Sequence, residues 1–264
     1  MQAEHRQALA QLWAMGDYAR LAERLRPAAG ALAGALGEGH GRRALDLATG
    51  TGSVALALAA DGWAVSAVDV CAPLLSQARE AADREDLVVD WREEPLEELP
   101  FRDETFAVVA SSFGLIFTND PSATLREVAR CLRPDGILAF TAWTPAGYLG
   151  QMSALMARHL PQPGAATAPL RWGDAEQVAG LLGQAFAEVE IEVRTLPWRF
   201  ASSEAAVDFY FTCSPAHIAA GAMLGPRADQ MRTDLGDQLA ALAHPGGSID
   251  IDAEYLLVRA HRDC

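Results

Sequence analysis

The 264-residue sequence predicts an α/β fold: a seven-stranded, mostly parallel sheet with helices on both faces, helices at the N-terminus and a helical cap inserted late in the chain. Three observations predict it. Ala44-Leu-Asp-Leu47 is a run fit for a buried strand, followed by a glycine loop (Gly50, Gly52) and a helix starting at Ser53. A second such run, 64–70, ends in a carboxylate, Asp69, which lies 17 residues after Gly52. From residue 43 onward apolar runs of strand length alternate with helical stretches, which implies a parallel sheet covered on both faces.

The elements follow in order. Residues 4–36 read as helical. His5 to Met15 carries apolar residues at helical spacing, Gly16 interrupts, and Asp17 caps a second helix through Leu25 that Pro27 kinks or restarts. Strand 44–47 leads to helix 52–60, and strand 64–69 to helix 73–84, with Pro73 in its opening turn. Strand 87–91 precedes an acidic loop, 92–104, and strand 105–111 leads to helix 121–132. Pro134-Asp-Gly136 turns the chain into strand 137–143. The pattern breaks over 144–172, where Pro145, Gly147, Gly150, Pro161, Pro163 and Gly164 imply irregular structure. Helix 174–183 restores it. Strand 187–195 alternates, Val189, Ile191 and Val193 against Glu188, Glu190 and Glu192. Residues 203–243 read as a helical insertion, and Glu254 to Ala260 as the closing strand. The expected organisation is one domain over 1–264: N-terminal helices 1–36, a core of 40–200 and 250–264, and a cap over 203–245.

Net charge is −14, which argues against a nucleic-acid partner, because phosphate-backbone binding rests on clustered cations. The four cysteines (Cys71, Cys131, Cys213, Cys264) are far apart, so neither a zinc site nor a disulfide framework is expected. No signal segment is apparent, and no apolar run nears the ~20 residues that cross a bilayer. A soluble, cytoplasmic protein without a membrane partner is expected. Oligomeric state stays open, a homodimer being one option.

A glycine loop at a helix N-terminus exposes backbone N–H groups and admits a ligand where no Cβ intrudes. Asp69 sits near the ~20-residue spacing at which an acid reaches a ribose hydroxyl. An adenosine-containing cofactor follows. Gly50-Thr-Gly52-Ser-Val-Ala55 also satisfies G-x-G-x-x-A, so a dehydrogenase is a rival. Asp46 argues against it. A carboxylate just before the loop repels a pyrophosphate and welcomes an ammonium group, and no basic residue lies in the loop.

At these residues the sequence resembles the class I S-adenosylmethionine-dependent methyltransferases. Asp46-Leu-Ala-Thr-Gly-Thr-Gly52 is similar to their first motif, D/E-x-G-x-G-x-G, with Ala48 in place of the first glycine. Leu99-Pro-Phe-Arg-Asp-Glu-Thr-Phe106 and Leu132-Arg-Pro-Asp-Gly-Ile137 resemble two later motifs, Asp135 replacing a glycine. Ser111-Ser-Phe-Gly-Leu-Ile-Phe117 resembles the ubiquinone/menaquinone C-methyltransferase subgroup. The resemblance spans about residues 13–185. It implies a Rossmann-like fold and S-adenosyl-L-methionine as cofactor, with S-adenosyl-L-homocysteine as product. The implied reaction is methyl transfer to O, N or C of a small, partly apolar molecule such as a secondary metabolite. The alternative is a cyclase or isomerase of a natural-product pathway that keeps the cofactor pocket without transferring methyl.

The resemblance also implies roles. Asp46 and the carbonyl of Ala48 hold the methionine ammonium. Thr49, Gly50 and Gly52 meet the methionine and ribose edge. Asp69 takes the ribose hydroxyls, Val70 packs on adenine, and Ser111 and Ser112 end a strand at the ligand mouth. Where relatives carry Gly-Asp-Ala for adenine, this chain has Glu94-Pro95-Leu96, leaving the N–H of Leu96 and the reach of Glu94. Trp13-Ala-Met-Gly-Asp-Tyr18 resembles a segment that closes over the cofactor, Phe117 is expected to face the methyl group, and Trp143, Tyr148, Trp172, Phe209 and Phe211 are candidates for the acceptor pocket. If an acceptor hydroxyl must lose a proton, a histidine titrating near neutrality is the natural base. His159 is the first candidate and His217 the second. No metal is expected.

Overall fold

The computed structural model describes residues 3–263, so Cys264 lies outside it. Two helices come first, α1 (Ala3–Trp13) and α2 (Tyr18–Leu36). Strands and helices then alternate: β1 (Arg43–Leu47), α3 (Ser53–Ala60), β2 (Ala64–Asp69), α4 (Ala72–Arg84), β3 (Val89–Glu93), β4 (Phe106–Ser112), α5 (Pro121–Cys131) and β5 (Leu132–Trp143). Next come α6 (Tyr148–His159), α7 (Pro163–Thr167), α8 (Ala175–Leu182) and β6 (Phe186–Phe200). Three cap helices, α9 (Ser203–Cys213), α10 (Pro215–Leu224) and α11 (Ala228–Ala240), precede β7 (Ile249–Arg262).

The seven strands form one sheet in the order β3-β2-β1-β4-β5-β7-β6. Only β7 runs antiparallel to its neighbours. β1 and β4 are each buried along almost their whole length, because helices cover both faces of the sheet. Strand order reverses between β1 and β4, and the carboxyl ends of the strands flanking that reversal are where open α/β sheets bind ligands. Asp46, Asp69, Ser112 and Trp143 all stand at or next to those ends.

Three expectations need correction. α2 does not stop or restart at Pro27 but runs through it to Leu36. Its buried face (Ala22, Ala28, Ala29, Leu32, Ala33) offsets the one hydrogen bond that proline removes. The 144–172 stretch is not irregular: α6 occupies its centre, with Leu149, Met152, Leu155 and Met156 buried at helical spacing. In β6, Val193 is 63% exposed, while Leu196, Trp198 and Phe200 beyond the predicted strand face the interior.

Candidate functional site

The loop between β1 and α3 explains its own composition. Ala48, Gly50 and Gly52 all have positive φ, at 49°, 56° and 89°. A Cβ on Gly50 would touch the Tyr18 ring at 3.4 Å, and one on Gly52 would come within 2.9 Å of Trp91 Cη2. Ala48 holds a left-handed conformation that costs an L-residue about 1 kcal/mol or more, which is why a glycine suits that place.

Two carboxylates bracket the loop. Asp46 is 1% exposed; its Oδ2 accepts from Thr49 Oγ1 at 2.5 Å and from the Ala55 N–H at 3.0 Å. Asp69 is 6% exposed; its oxygens accept from the N–H groups of Gly50 and Cys71, both at 2.8 Å. Burial pushes Asp46 up to about 7, against hydrogen bonds from Thr49 and Ala55 that lower it, and Asp69 adds repulsion. Burial raises Asp69 as well, opposed by N–H donors at Cys71, Gly50 and Val70. Among the described residues neither carboxylate forms an ion pair; their hydrogen-bond donors are a hydroxyl and backbone N–H groups. Burial, reinforced by Asp69, keeps the Tyr18 phenol protonated beside them.

A cavity of about 150 Å³ opens from this loop. Its lining includes Gly50, Asp69, Val70, Leu74 and Leu96, and the rings of Phe113, Trp143, Trp198, Tyr210 and His217. Trp13, Tyr18 and Phe117 also line it, Trp13 packing edge-on to Tyr18 at 5.9 Å and to Phe117 at 4.7 Å. The charged side chains lining it are Asp69 and Glu97. A second recess of about 30 Å³ lies behind the loop, lined by Asp46 and Thr49 and sharing Tyr18, Ala48 and Ser112 with the first. It has room for one water or a group of that size.

The predicted residues therefore divide. Tyr18, Ala48, Gly50, Asp69, Val70, Leu96, Ser112, Trp13, Phe117 and Trp143 line the main cavity, and Asp46 and Thr49 the recess. Gly52 lines neither; its role is close packing on Trp91 and Ala78. Ser111 is buried, its hydroxyl donating to Leu47 O and accepting from the Leu115 N–H, both at 2.8 Å, which makes it a strut. Trp172 is core, edge-on to Phe140 at 5.5 Å. Phe209 belongs to an aromatic cluster with Trp198 and Phe200, with the Arg24 guanidinium 4.6 Å from its ring centroid. Phe211 lies against His217 and Arg232. Tyr148 is outside the cavity lining, its hydroxyl buried without a partner. Glu94 pairs with Arg6 at 3.7 Å.

His159 is the largest correction. It ends α6, where its Nε2 lies 2.9 Å from Asp234 Oδ2 on α11, and it does not line the cavity. His217 does line it.

Among the lining residues that were missed are Tyr210, Trp198, Phe113 and Glu97. Tyr210 falls between the two aromatics singled out on α9, and one residue along a helix is a turn of about 100°. Trp198 lies beyond the predicted end of its strand. Phe113 sits inside a quoted motif at φ 55° and stacks on Trp143 at 3.9 Å. Glu97 follows Leu96 and accepts from Thr118 Oγ1 and the Asn119 N–H at 3.1 and 3.2 Å.

Residues 45–140 match the methyltransferase domain family. The chain is 32% identical over 259 residues to the uncharacterized protein Rv1405c of Mycobacterium tuberculosis, covering 95% of this chain and 93% of that one. It is 36% identical over 103 residues to the ubiquinone/menaquinone biosynthesis C-methyltransferase UbiE of a Ruegeria species, covering 37% of this chain and 41% of that one. The [4+2]-cyclase SpnF shares the fold, with a TM-score of 0.57 and 21% identity over 93% of this chain and 82% of that one.

Proposed function

Since the chain belongs to the class I S-adenosylmethionine-dependent methyltransferases, in the methyltransferase type 11 family, we propose that it transfers a methyl group from S-adenosylmethionine to O, N or C of a small, partly apolar acceptor. The observation that carries this reading is the pair of buried carboxylates, Asp46 and Asp69, neither of which forms an ion pair among the described residues. Buried charges are costly unless paired, and a cofactor with an ammonium and a sulfonium supplies the missing charge. The other end of the same cavity is aromatic and free of charged side chains.

Bound here, S-adenosylmethionine would supply a methyl group already activated for transfer to the acceptor. The chain supplies position and dryness. Asp46 offers the recess an acceptor for an ammonium, directly or through one water. Asp69 has lone-pair capacity left beyond its backbone donors, enough for a ribose hydroxyl. Val70, Leu74 and Leu96 give a purine apolar walls, and Glu97 a carboxylate in place of the usual adenine acid. Trp13, Tyr18 and Phe117 close the cavity from water.

The test is thermal shift followed by mass spectrometry. Millimolar S-adenosylhomocysteine should raise Tm and NAD should not. Incubation with the methyl donor and an acceptor panel should give a product heavier by one methyl. No shift with S-adenosylhomocysteine contradicts the reading, and an unmethylated, rearranged product supports the cyclase or isomerase instead.

A further inference from the structure

Where β6, α9 and α10 line the cavity, three polar atoms are buried without a hydrogen-bond partner: Trp198 Nε1, Tyr210 Oη and His217 Nε2. Their residues are 1%, 1% and 3% exposed, and all three line the cavity. They adjoin one another. Trp198 stacks on Tyr210 at 5.9 Å, and Tyr210 on His217 at 5.0 Å. Native interiors leave few polar atoms unpaired, because each forfeits its hydration for nothing. Three on successive rings, in one cavity wall, is a concentration that folding alone does not explain.

The chemistry of the three atoms is narrow. An indole N–H only donates, so its partner must offer a lone pair. A phenol and a neutral imidazole donate or accept, so a proton on that partner also finds a place. His217 Nδ1 already lies 2.9 Å from Ser214 Oγ, which leaves Nε2 for the cavity. Burial lowers His217 to about 4, so the ring is neutral at pH 7. Burial likewise keeps the Tyr210 hydroxyl protonated. No cationic side chain lines the cavity; the Arg24 guanidinium lies over the Trp198 ring at 5.8 Å, outside the lining, and offers a ligand no direct ion pair. The neighbouring wall is the flat Phe113–Trp143 stack, with Trp143 edge-on to Trp198 at 6.3 Å.

We propose that Trp198, Tyr210 and His217 form the acceptor-recognition site, taking an uncharged oxygen function (hydroxyl or carbonyl) at the buried end of a flat, apolar molecule. The word acceptor rests on the methyl-transfer reading; the binding chemistry does not. His217 acts here as a positioning residue. A ring titrating near 4 takes a proton poorly from a neutral hydroxyl, which removes it as the near-neutral base the sequence suggested.

The test is equilibrium dialysis of 2-naphthol, naphthalene and 2-naphthoate against wild type, Tyr210→Phe and His217→Phe, with and without S-adenosylhomocysteine. Wild type should bind 2-naphthol at least about tenfold tighter than the other two, one hydrogen-bonded group's worth. Either variant should shrink that gap below about threefold while S-adenosylhomocysteine affinity stays within about twofold. Tyr210→Phe removes an unpaired buried hydroxyl, so the ligand-free protein should melt about 2 °C higher, which also shows that it folds. Equal binding of naphthol and naphthalene by wild type overturns the proposal, as does a gap that survives both substitutions. A wild type that discriminates naphthol but binds no S-adenosylhomocysteine overturns the methyl-transfer reading and leaves the oxygen site standing.

Discussion

At the β1–β2 end of the cavity the polar groups are carboxylates, already engaged by backbone N–H donors and lacking only a counter-charge. At the β6–α10 end they are neutral, and each has an atom with no partner. The first is built from the β1–α3 loop, the tip of β2, Leu74 on α4, and Leu96 and Glu97 after β3. The second is assembled from Phe113, Trp143, Trp198, Tyr210 and His217, which lie on the loop after β4 and on β5, β6, α9 and α10. A charge-complementary end suits one invariant cofactor, whereas an end of aromatic faces and unpaired donors suits a partner chosen by shape and one oxygen. Specificity should therefore change by substitution in the cap without touching the cofactor.

The sharpest way to break this contrast is through pH. Asp46 titrates at about 7 folded and about 4 unfolded, so between those values the folded state keeps a proton that the unfolded chain has lost. Stability from this group is full below pH 4 and is lost as pH rises through 7. His217 runs the other way: with its folded value lowered to about 4, stability is lost as pH falls from about 6.5 through 4. Comparing ligand-free wild type with Asp46→Asn isolates the carboxylate. From pH 5 to pH 8 the variant should gain about 3 kcal/mol on wild type in urea titrations, two units at about 1.4 each. Parallel pH profiles would mean that Asp46 is not held as a buried, uncompensated acid.

Ser111→Ala comes next. It strands the Leu47 carbonyl and the Leu115 N–H, so stability should fall by about 2 kcal/mol while S-adenosylhomocysteine affinity holds. A loss of affinity without loss of stability would return Ser111 to the cofactor site. Ala48→Gly should be smaller and opposite in sign. Relief of a left-handed alanine, less the entropy glycine adds to the unfolded chain, leaves a gain of about 0.5–1 kcal/mol by the same titration. His159→Ala should do least, leaving turnover and both ligand affinities within about twofold, since its partner is Asp234 at the surface of the cap. A large drop in turnover would put the base back at α6.

The two ends also differ in how legible they were. The sheet and its order of strands and helices could be read from the sequence because their signals are local: apolar runs of strand length, glycines at fixed offsets, an acid closing each of two strands. Gly50 in the β1–α3 loop and Asp69 and Val70 at the end of β2 line the cavity, and each is marked by a short local signal. The acceptor end is fixed by tertiary packing. Whether Phe209, Tyr210 or Phe211 faces the cavity depends on the rotation of α9 against Trp198 and Phe200, which no spacing records. Trp172 and Phe209 have the composition of pocket residues and the location of core residues. His159 was chosen for lying near β5, but α6 carries it to its far end, against the cap. The helix itself was legible at 149, 152, 155 and 156; the flanking prolines and glycines hid it.

The most direct test of the central claim, that two buried carboxylates await a cationic cofactor, is calorimetric titration of S-adenosylhomocysteine at pH 7 in two buffers of different ionisation enthalpy. A carboxyl titrating near 7 is about half protonated in the empty protein, and pairing it with the ligand's ammonium drives that proton off. The expected result is release of about half a proton per ligand bound by wild type, and none, with weaker binding, by Asp46→Asn. Proton-neutral binding by wild type, together with undiminished affinity in Asp46→Asn, would contradict it.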